Sequence, residues 1–223
     1  MWIALTLVVY LLSVYFLHRI KIPFLNSLLI SMIAIIAILL VLDVSFETYY
    51  AQTNWINYFM QAAVVAFAYP LYEQLPQIRS NMKFILLSCL ASCSLAVLFT
   101  GFVAWLFDAP APLLASLLVK SITTPIALEI SGSLNGQTSI VIVLGLFAGL
   151  TGAILFYPIF KLLGVNESVQ RGIIVGSLSH AIGTSATVKH SSEDTAFSSV
   201  ALIIAAIFSS FLAPMAYQFF TWI

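Results

Sequence analysis

Long apolar runs alternate with short polar stretches along the whole chain. The runs occupy residues 2–17, 23–42, 58–75, 84–106, 111–130, 138–160, 170–187 and 196–220. A helix needs about 20 apolar residues to cross the hydrocarbon of a bilayer, and the runs come close to that length. The pattern predicts an all-α polytopic membrane protein with at most about eight crossings. Six runs read as plain spans. The fifth contains Lys120-Ser121-Ile122-Thr123-Thr124-Pro125, and the seventh contains Gly176-Ser177-Leu178-Ser179-His180-Ala181-Ile182-Gly183-Thr184. Each therefore carries a polar cluster and a helix breaker in mid-run. Broken backbone is tolerated at membrane depth only inside protein or beside a water-filled cavity.

The two interrupted runs align with each other. Ser121 matches Ser177, Ile122 matches Leu178, Thr123 matches Ser179 and Ile126 matches Ile182, all at an offset of 56 residues. At that offset the run at 84–106 overlies the run that follows Thr138. A unit of one plain span and one broken segment is expected twice, over 81–136 and 137–192, against chance similarity of two small-residue tracts. Residues 1–80 are expected to form a three-helix scaffold and oligomerisation region. Residues 81–223 are expected to form a core with the repeat and a final span.

Charge refines the topology. If all eight runs cross, Lys161 and Arg171 face away from the other basic loop residues. If the fifth and seventh are re-entrant hairpins, Arg19, Lys21, Arg79, Lys83, Lys161, Arg171 and Lys189 share one side, which the positive-inside rule makes cytoplasmic. The expected fold is thus six crossings plus two broken hairpins in an inverted repeat, with eight full crossings as the alternative. One hairpin would enter from each side and their tips would meet near the midplane, with Pro125 and Gly183 at the breaks. Inverted repeats with broken helices are an architecture of secondary transporters.

Composition fits a bilayer rather than water as solvent: 62% of the 223 residues are hydrophobic and 7% are charged, where soluble domains carry roughly 25% charged residues. The net charge is zero, and no basic patch suggests nucleic acid as a partner. The opening Met1-Trp2-Ile3-Ala4 lacks the basic region of a cleaved signal peptide, so the first run is expected to be a retained span in an inner membrane. Cys89 and Cys93 lie four apart in an apolar run. Packing is their expected role, against a metal or redox role that would want more ligands nearby.

Lys120 is the one basic residue deep in an apolar run, a functional candidate by default, with snorkelling to an interface as the alternative. Ser121, Thr123 and Thr124 add hydroxyls, and the break at Pro125 frees amides at a half-helix start that carries partial positive charge. Lysine, hydroxyls and amides together suit a small carboxylate. The second tip offers Ser177, Ser179, His180 and Thr184, with Gly183 allowing close approach. His180 could bind substrate, carry a proton or hydrogen-bond a neighbouring helix. Gln61 and Tyr69 are further candidate cavity residues. Glu73 is a proton-coupling candidate beside His180, or a plain interfacial carboxylate. Adjacent side chains on a helix point about 100° apart, so Ser179-His180 is no evidence for a nucleophile–base pair. With no metal or nucleotide motif in the sequence, neither an enzyme nor a cofactor is expected.

Leu117-Leu118-Val119-Lys120-Ser121-Ile122-Thr123-Thr124-Pro125-Ile126-Ala127, Arg171-Gly172 with Gly176 to Thr184, Glu193-Asp194-Thr195-Ala196-Phe197-Ser198-Ser199 and Pro70-Leu71-Tyr72-Glu73-Gln74-Leu75 resemble the LrgB/CidB family of bacterial inner-membrane proteins over nearly the whole chain. Val119 and Ser185-Ala186 depart from the family pattern, which usually has proline before the lysine and alanine-arginine at the second place. The resemblance implies two readings. One is transport of small monocarboxylates such as pyruvate or glycolate, as in the similar part of the plastid glycolate/glycerate transporter. The other is regulation of murein hydrolase export and autolysis, antiholin-like, beside a small LrgA/CidA-like subunit. The residues favour transport, with a homodimer through the first three spans.

Overall fold

The computed structural model describes residues 2–20, 27–56, 59, 65 and 68–222. Every regular element among them is helical, with no strand. The chain forms two compact units, Met1–Ala66 and Phe67–Ile223.

The first unit contains α1 (Trp2–Ile20), α2 (Ser27–Val41) and α3 (Phe46–Thr53). Ser45 caps α3 by accepting from the Thr48 amide at 3.3 Å. The Thr6 and Tyr49 hydroxyls lie 2.8 Å apart and Trp2 meets Tyr49 edge to face, which pins α3 to α1. Leu11, Leu40 and Val41 are exposed apolar side chains, as expected where lipid is the solvent. Residues 58, 60–64, 66 and 67 of the third apolar run, Gln61 included, lie outside the described residues.

The second unit contains α4 (Ala68–Glu73), α5 (Leu75–Ser80), α6 (Met82–Leu106), α7 (Ala111–Leu118), α8 (Thr124–Ser133), α9 (Thr138–Leu163), α10 (Ser168–Thr187) and α11 (Ser192–Trp222). Among the described residues, α6, α9 and α11 are the three helices long and apolar enough to cross a membrane. The two interrupted runs do something else.

The seventh run, α10, is helical at both ends but not throughout. Ser179 (φ −129°, ψ 15°) and His180 (φ 43°, ψ −147°) leave helical geometry. The two arms then lie side by side. In the first arm, Gly172 packs on Asp194, Phe197 and Ser198 of α11, and Gly176 on Ser198 and Ala201, so this arm rises in step with α11. In the second arm, Thr184 bonds Ser198 at 2.7 Å and Thr187 bonds Thr195 at 3.0 Å, so it descends. A methyl on Gly183 would lie 3.2 Å from the Val175 side chain, although eight residues of straight helix would separate the two by about 12 Å. The run is a hairpin that enters and leaves on one face.

The fifth run makes the matching hairpin from the opposite face. α7 descends from the end of α6 until Leu118 lies beside Cys93 and Val97. Residues 119–123 turn, and α8 rises again from Thr124, whose hydroxyl would lie 3.8 Å from a Cβ on Gly145 of α9. The Ser116 hydroxyl accepts from the Gln137 amide at 2.8 Å, tying the entering arm to the point where the leaving arm passes into α9. Each interrupted run therefore follows one crossing helix, and the two units of span plus hairpin point in opposite directions.

The sequence places the breaks at Pro125 and Gly183, and the structure shifts both. Pro125 stands in the first turn of α8, where its missing N–H costs nothing. Gly183 lies within the descending arm, packed on Ser179 and Val175, where a side chain would not fit. The actual break falls on His180. A non-glycine residue in that sparsely populated region costs about 1–3 kcal/mol, and such strain concentrates at functional sites.

Arg79, Lys83, Lys161, Arg171 and Lys189 all lie at the face where α6 and α11 begin and α9 ends, because Ile78, Ile85, Ile173 and Ala196 form one core cluster there. Asp108 and the α8–α9 turn lie at the other face. Cysteine labelling checks this arrangement. With a reagent confined to one side of the membrane, Thr138→Cys and Asn166→Cys should label from opposite sides. Labelling of both from the same side would contradict the hairpin at 168–187.

Candidate functional site

The two hairpin tips meet halfway along the crossing helices. Lys120, Ser121 and Ile122 of the first tip and Ser177 of the second line one small cavity, with Cys93, Ala96 and Val97 of α6, Ser209 of α11 and Leu118 completing it. Gly145 of α9 stands at the contact between the tips, close to both Thr124 and the His180 ring. The cavity measures about 10 Å³, the room one water molecule needs. It is closed to anything larger.

Why the tips can approach so closely follows from three glycines on one face of α9. A side-chain carbon on Gly149 would lie 2.7 Å from Ile182 and 3.0 Å from the His180 ring, and one on Gly152 would collide with Ser179. Spacing of small residues along one face is how membrane helices bring backbones together.

Lys120 reaches along α6 and its ammonium donates to the Thr100 hydroxyl at 2.7 Å. Thr100 lies roughly 9 Å inside the end of α6. Among the described residues no carboxylate lies within the 4.0 Å of a salt bridge to this amine; the one ion pair is elsewhere. The amine thus has hydroxyl neighbours and, among the described residues, no counter-ion. Thr123 is buried and ends the turn at the start of α8, with its hydroxyl bonded to no backbone amide there.

The second tip is largely satisfied internally. The hydroxyl of Ser177 donates to the Ile173 carbonyl (2.7 Å), that of Ser179 to Val175 (2.6 Å) and that of Thr184 to His180 (2.9 Å). Of these, Ser177 lines the cavity, while Thr184 faces Ser198 of α11. His180 is buried and uses both ring nitrogens. Nδ1 accepts from the Ile182 amide at 3.5 Å, so the proton resides on Nε2, which donates to the Gly145 carbonyl at 2.8 Å. The ring ties the strained break to α9.

Two further expectations fall outside the cavity. Tyr69 is 68% exposed, and its hydroxyl donates to Glu73 at 2.8 Å. Both side chains are exposed on α4. Conversely, Thr100, Cys93 and Ser209 join the site from crossing helices.

A second polar cluster stands at the basic face. Arg171 holds Asp194 with two bonds, from Nε to Oδ2 and from Nη2 to Oδ1, both 2.9 Å. Tyr157 donates to the same carboxylate at 2.6 Å, and its ring stacks on His190 with centroids 3.5 Å apart. Asp194 is wholly buried. Burial against these neighbours pushes the His190 ring below the usual imidazole range, with the carboxylate of Asp194 opposing. This cluster joins α9, both ends of the hairpin at 168–187 and α11. Within the sequence its signal is the acidic pair Glu193-Asp194 before the last apolar run and the arginine that opens the seventh.

Comparison with known proteins adds to this picture. The sequence model of the LrgB-like family matches residues 6–219. The uncharacterized protein YxaC of Bacillus subtilis (strain 168) is 37% identical over 213 residues, 96% of this chain and 93% of that protein. The holin-like protein CidB of Staphylococcus epidermidis (strain RP62A) is 35% identical over the same shares of the two chains. The holin-like protein CidB of Staphylococcus aureus (strain Mu50) is 32% identical, again over 96% of this chain and 93% of the relative. No solved structure matches.

Proposed function

We propose, from the premise that this chain belongs to the LrgB-like family, that it is a membrane carrier for small monocarboxylates of two or three carbons, binding them between the two hairpin tips. The observation that carries the reading is the side-chain nitrogen of Lys120, held on Thr100 roughly 9 Å inside the end of α6 with hydroxyl neighbours and no carboxylate partner among the described residues. A buried charge without a counter-ion is costly, and an anionic ligand removes the cost. Lys120 supplies the charge, while Ser121, Ser177 and Ser209 line the same cavity with hydroxyls; Thr123 and Thr124 stand at the first tip outside that lining. Thr100 holds the Lys120 side-chain nitrogen while the site is empty. His180, Ser179 and Gly183 shape the second tip and fix it to α9 rather than touch the ligand. The cavity in this closed form admits no more than about a water, so a carboxylate enters only when one hairpin moves away from the other. That is alternating access, with the basic face cytoplasmic by the positive-inside rule.

The names of the CidB relatives favour a second reading, a holin-like protein. A pore would need a polar path along the crossing helices. The polar groups here gather instead at the two tips and in a buried cluster between the second hairpin and α11, where they bond one another. Self-association through the first three spans, and a small LrgA/CidA-like partner implied by the resemblance, belong to either reading.

Binding separates the two. Purified protein in detergent or nanodiscs should melt at higher temperature with glycolate, lactate or pyruvate, saturably and competitively. A ligand at about a hundred times its Kd adds roughly 2.7 kcal/mol. Acetate-sized anions should act and sulfate should not. Indifference of the melting curve to every monocarboxylate would remove the carrier reading.

A further inference from the structure

The surroundings of Lys120 bear on what drives transport. From α6 it meets the Thr100 hydroxyl, and Cys93 is the one titratable group that lines the cavity with it. From α11 and the second hairpin come Ser209 and Ser177, both hydroxyls. No described carboxylate or second base faces it. A neutral amine in that place costs little more than another hydroxyl, whereas a bare ammonium carries the full penalty of an unpaired charge. The penalty vanishes when an anion is bound. Loaded and empty sites therefore favour different protonation states of the same side chain.

We infer that Lys120 is the coupling group: it carries one proton across with each monocarboxylate. This rests on the carrier reading above. On the open side the neutral amine takes a proton from hydronium, which becomes water, and the resulting ammonium binds one carboxylate. The pair moves as a unit of zero net charge. On the other side the carboxylate leaves, the ammonium returns its proton to water, and the neutral, empty site reorients. One proton and one anion cross per cycle, and no net charge moves.

The other titratable candidates are placed less well for this task. His180 has its protonated Nε2 on the Gly145 carbonyl and Nδ1 facing the Ile182 amide. A second proton would set one N–H against another and break the hinge. Glu73 is exposed on α4, bonded by Tyr69, outside the cavity.

Lys120→Arg tests the inference in proteoliposomes with labelled glycolate, because arginine does not release its proton. Its empty site stays charged and cannot return. Exchange of labelled for unlabelled glycolate should continue, while accumulation driven by an inward proton gradient should fall from severalfold to none. A doubly substituted His180→Gln/Glu73→Gln protein should keep the wild-type ratio of accumulation to exchange, whatever its absolute rate. Accumulation by Lys120→Arg at the wild-type level would overturn the inference, as would loss of accumulation with exchange kept in the double variant. Where arginine abolishes exchange as well, the double variant and the charge balance decide. Wild-type accumulation that ignores the membrane potential supports an electroneutral pair, and accumulation that follows it refutes one. Wild-type protein that neither exchanges nor accumulates glycolate, lactate or pyruvate brings down the carrier reading itself, a result distinct from all of these.

Discussion

Lys120→Met should weaken binding of a small monocarboxylate by roughly tenfold to more than a hundredfold while leaving the protein folded. The estimate is that of one charge-assisted hydrogen bond, about 1.5–3 kcal/mol. Methionine keeps most of the stem that runs past Leu118 and Val97, so the packing of the first tip survives, and the Thr100 hydroxyl already bonds the Ala96 carbonyl at 2.6 Å without the lysine. In the empty protein the substitution gives up only the bond from the Lys120 nitrogen to Thr100, so the melting temperature should change little. A snorkelling lysine predicts the reverse emphasis: little effect on ligand and some loss of stability. Equal glycolate affinity in the wild type and the variant, measured by thermal shift or calorimetry, would show that the site lies elsewhere.

Arg171→Met is the second large effect, and it falls on stability. It leaves a fully buried carboxylate at Asp194 with only the uncharged hydroxyls of Tyr157 and Ser168 to answer it. Removing one partner of a buried pair costs roughly 3–5 kcal/mol. Because the cluster fastens the hairpin at 168–187 to α11 and α9, the melting temperature should drop and a cysteine placed in the hairpin should become reactive. Arg171→Lys retains the charge but not the two parallel bonds, and should recover part of the loss. Asp194→Asn added to Arg171→Met should recover part as well, since the buried charge is then gone. Melting of Arg171→Met at the wild-type temperature would show that the cluster is not a fastening.

What the sequence reveals about this molecule follows from the scale of each signal. The broken runs are visible because Lys120-Ser121 and Ser179-His180 stand where a lipid-facing helix would have leucine, and their one-sided charges foretell the hairpins. The break at His180 is not legible, because glycine at 183 is the obvious hinge in sequence while the structure uses it for packing against Ser179 and Val175. Tyr69 and Glu73 look like cavity residues by polarity alone, yet they satisfy each other at the surface. Thr100 and Ser209 escape notice because one hydroxyl in an apolar helix is unremarkable until Lys120 is beside it. The Arg171–Asp194 pair spans 23 residues, too far for any local pattern to link, although both residues are charged groups at the edge of apolar runs. The α9 glycines at 145, 149 and 152 carry a spacing that sequence could have read as a close-packing face.

Uptake of labelled glycolate into proteoliposomes tests the central claim most directly. A carrier closed around a site of this size predicts saturable uptake that lactate and pyruvate compete away, that Lys120→Met lowers at least about tenfold at limiting glycolate, and that occurs with no release of an entrapped dye. Non-saturable flux of glycolate accompanied by leakage of the dye, unchanged in Lys120→Met, would contradict it and establish a pore.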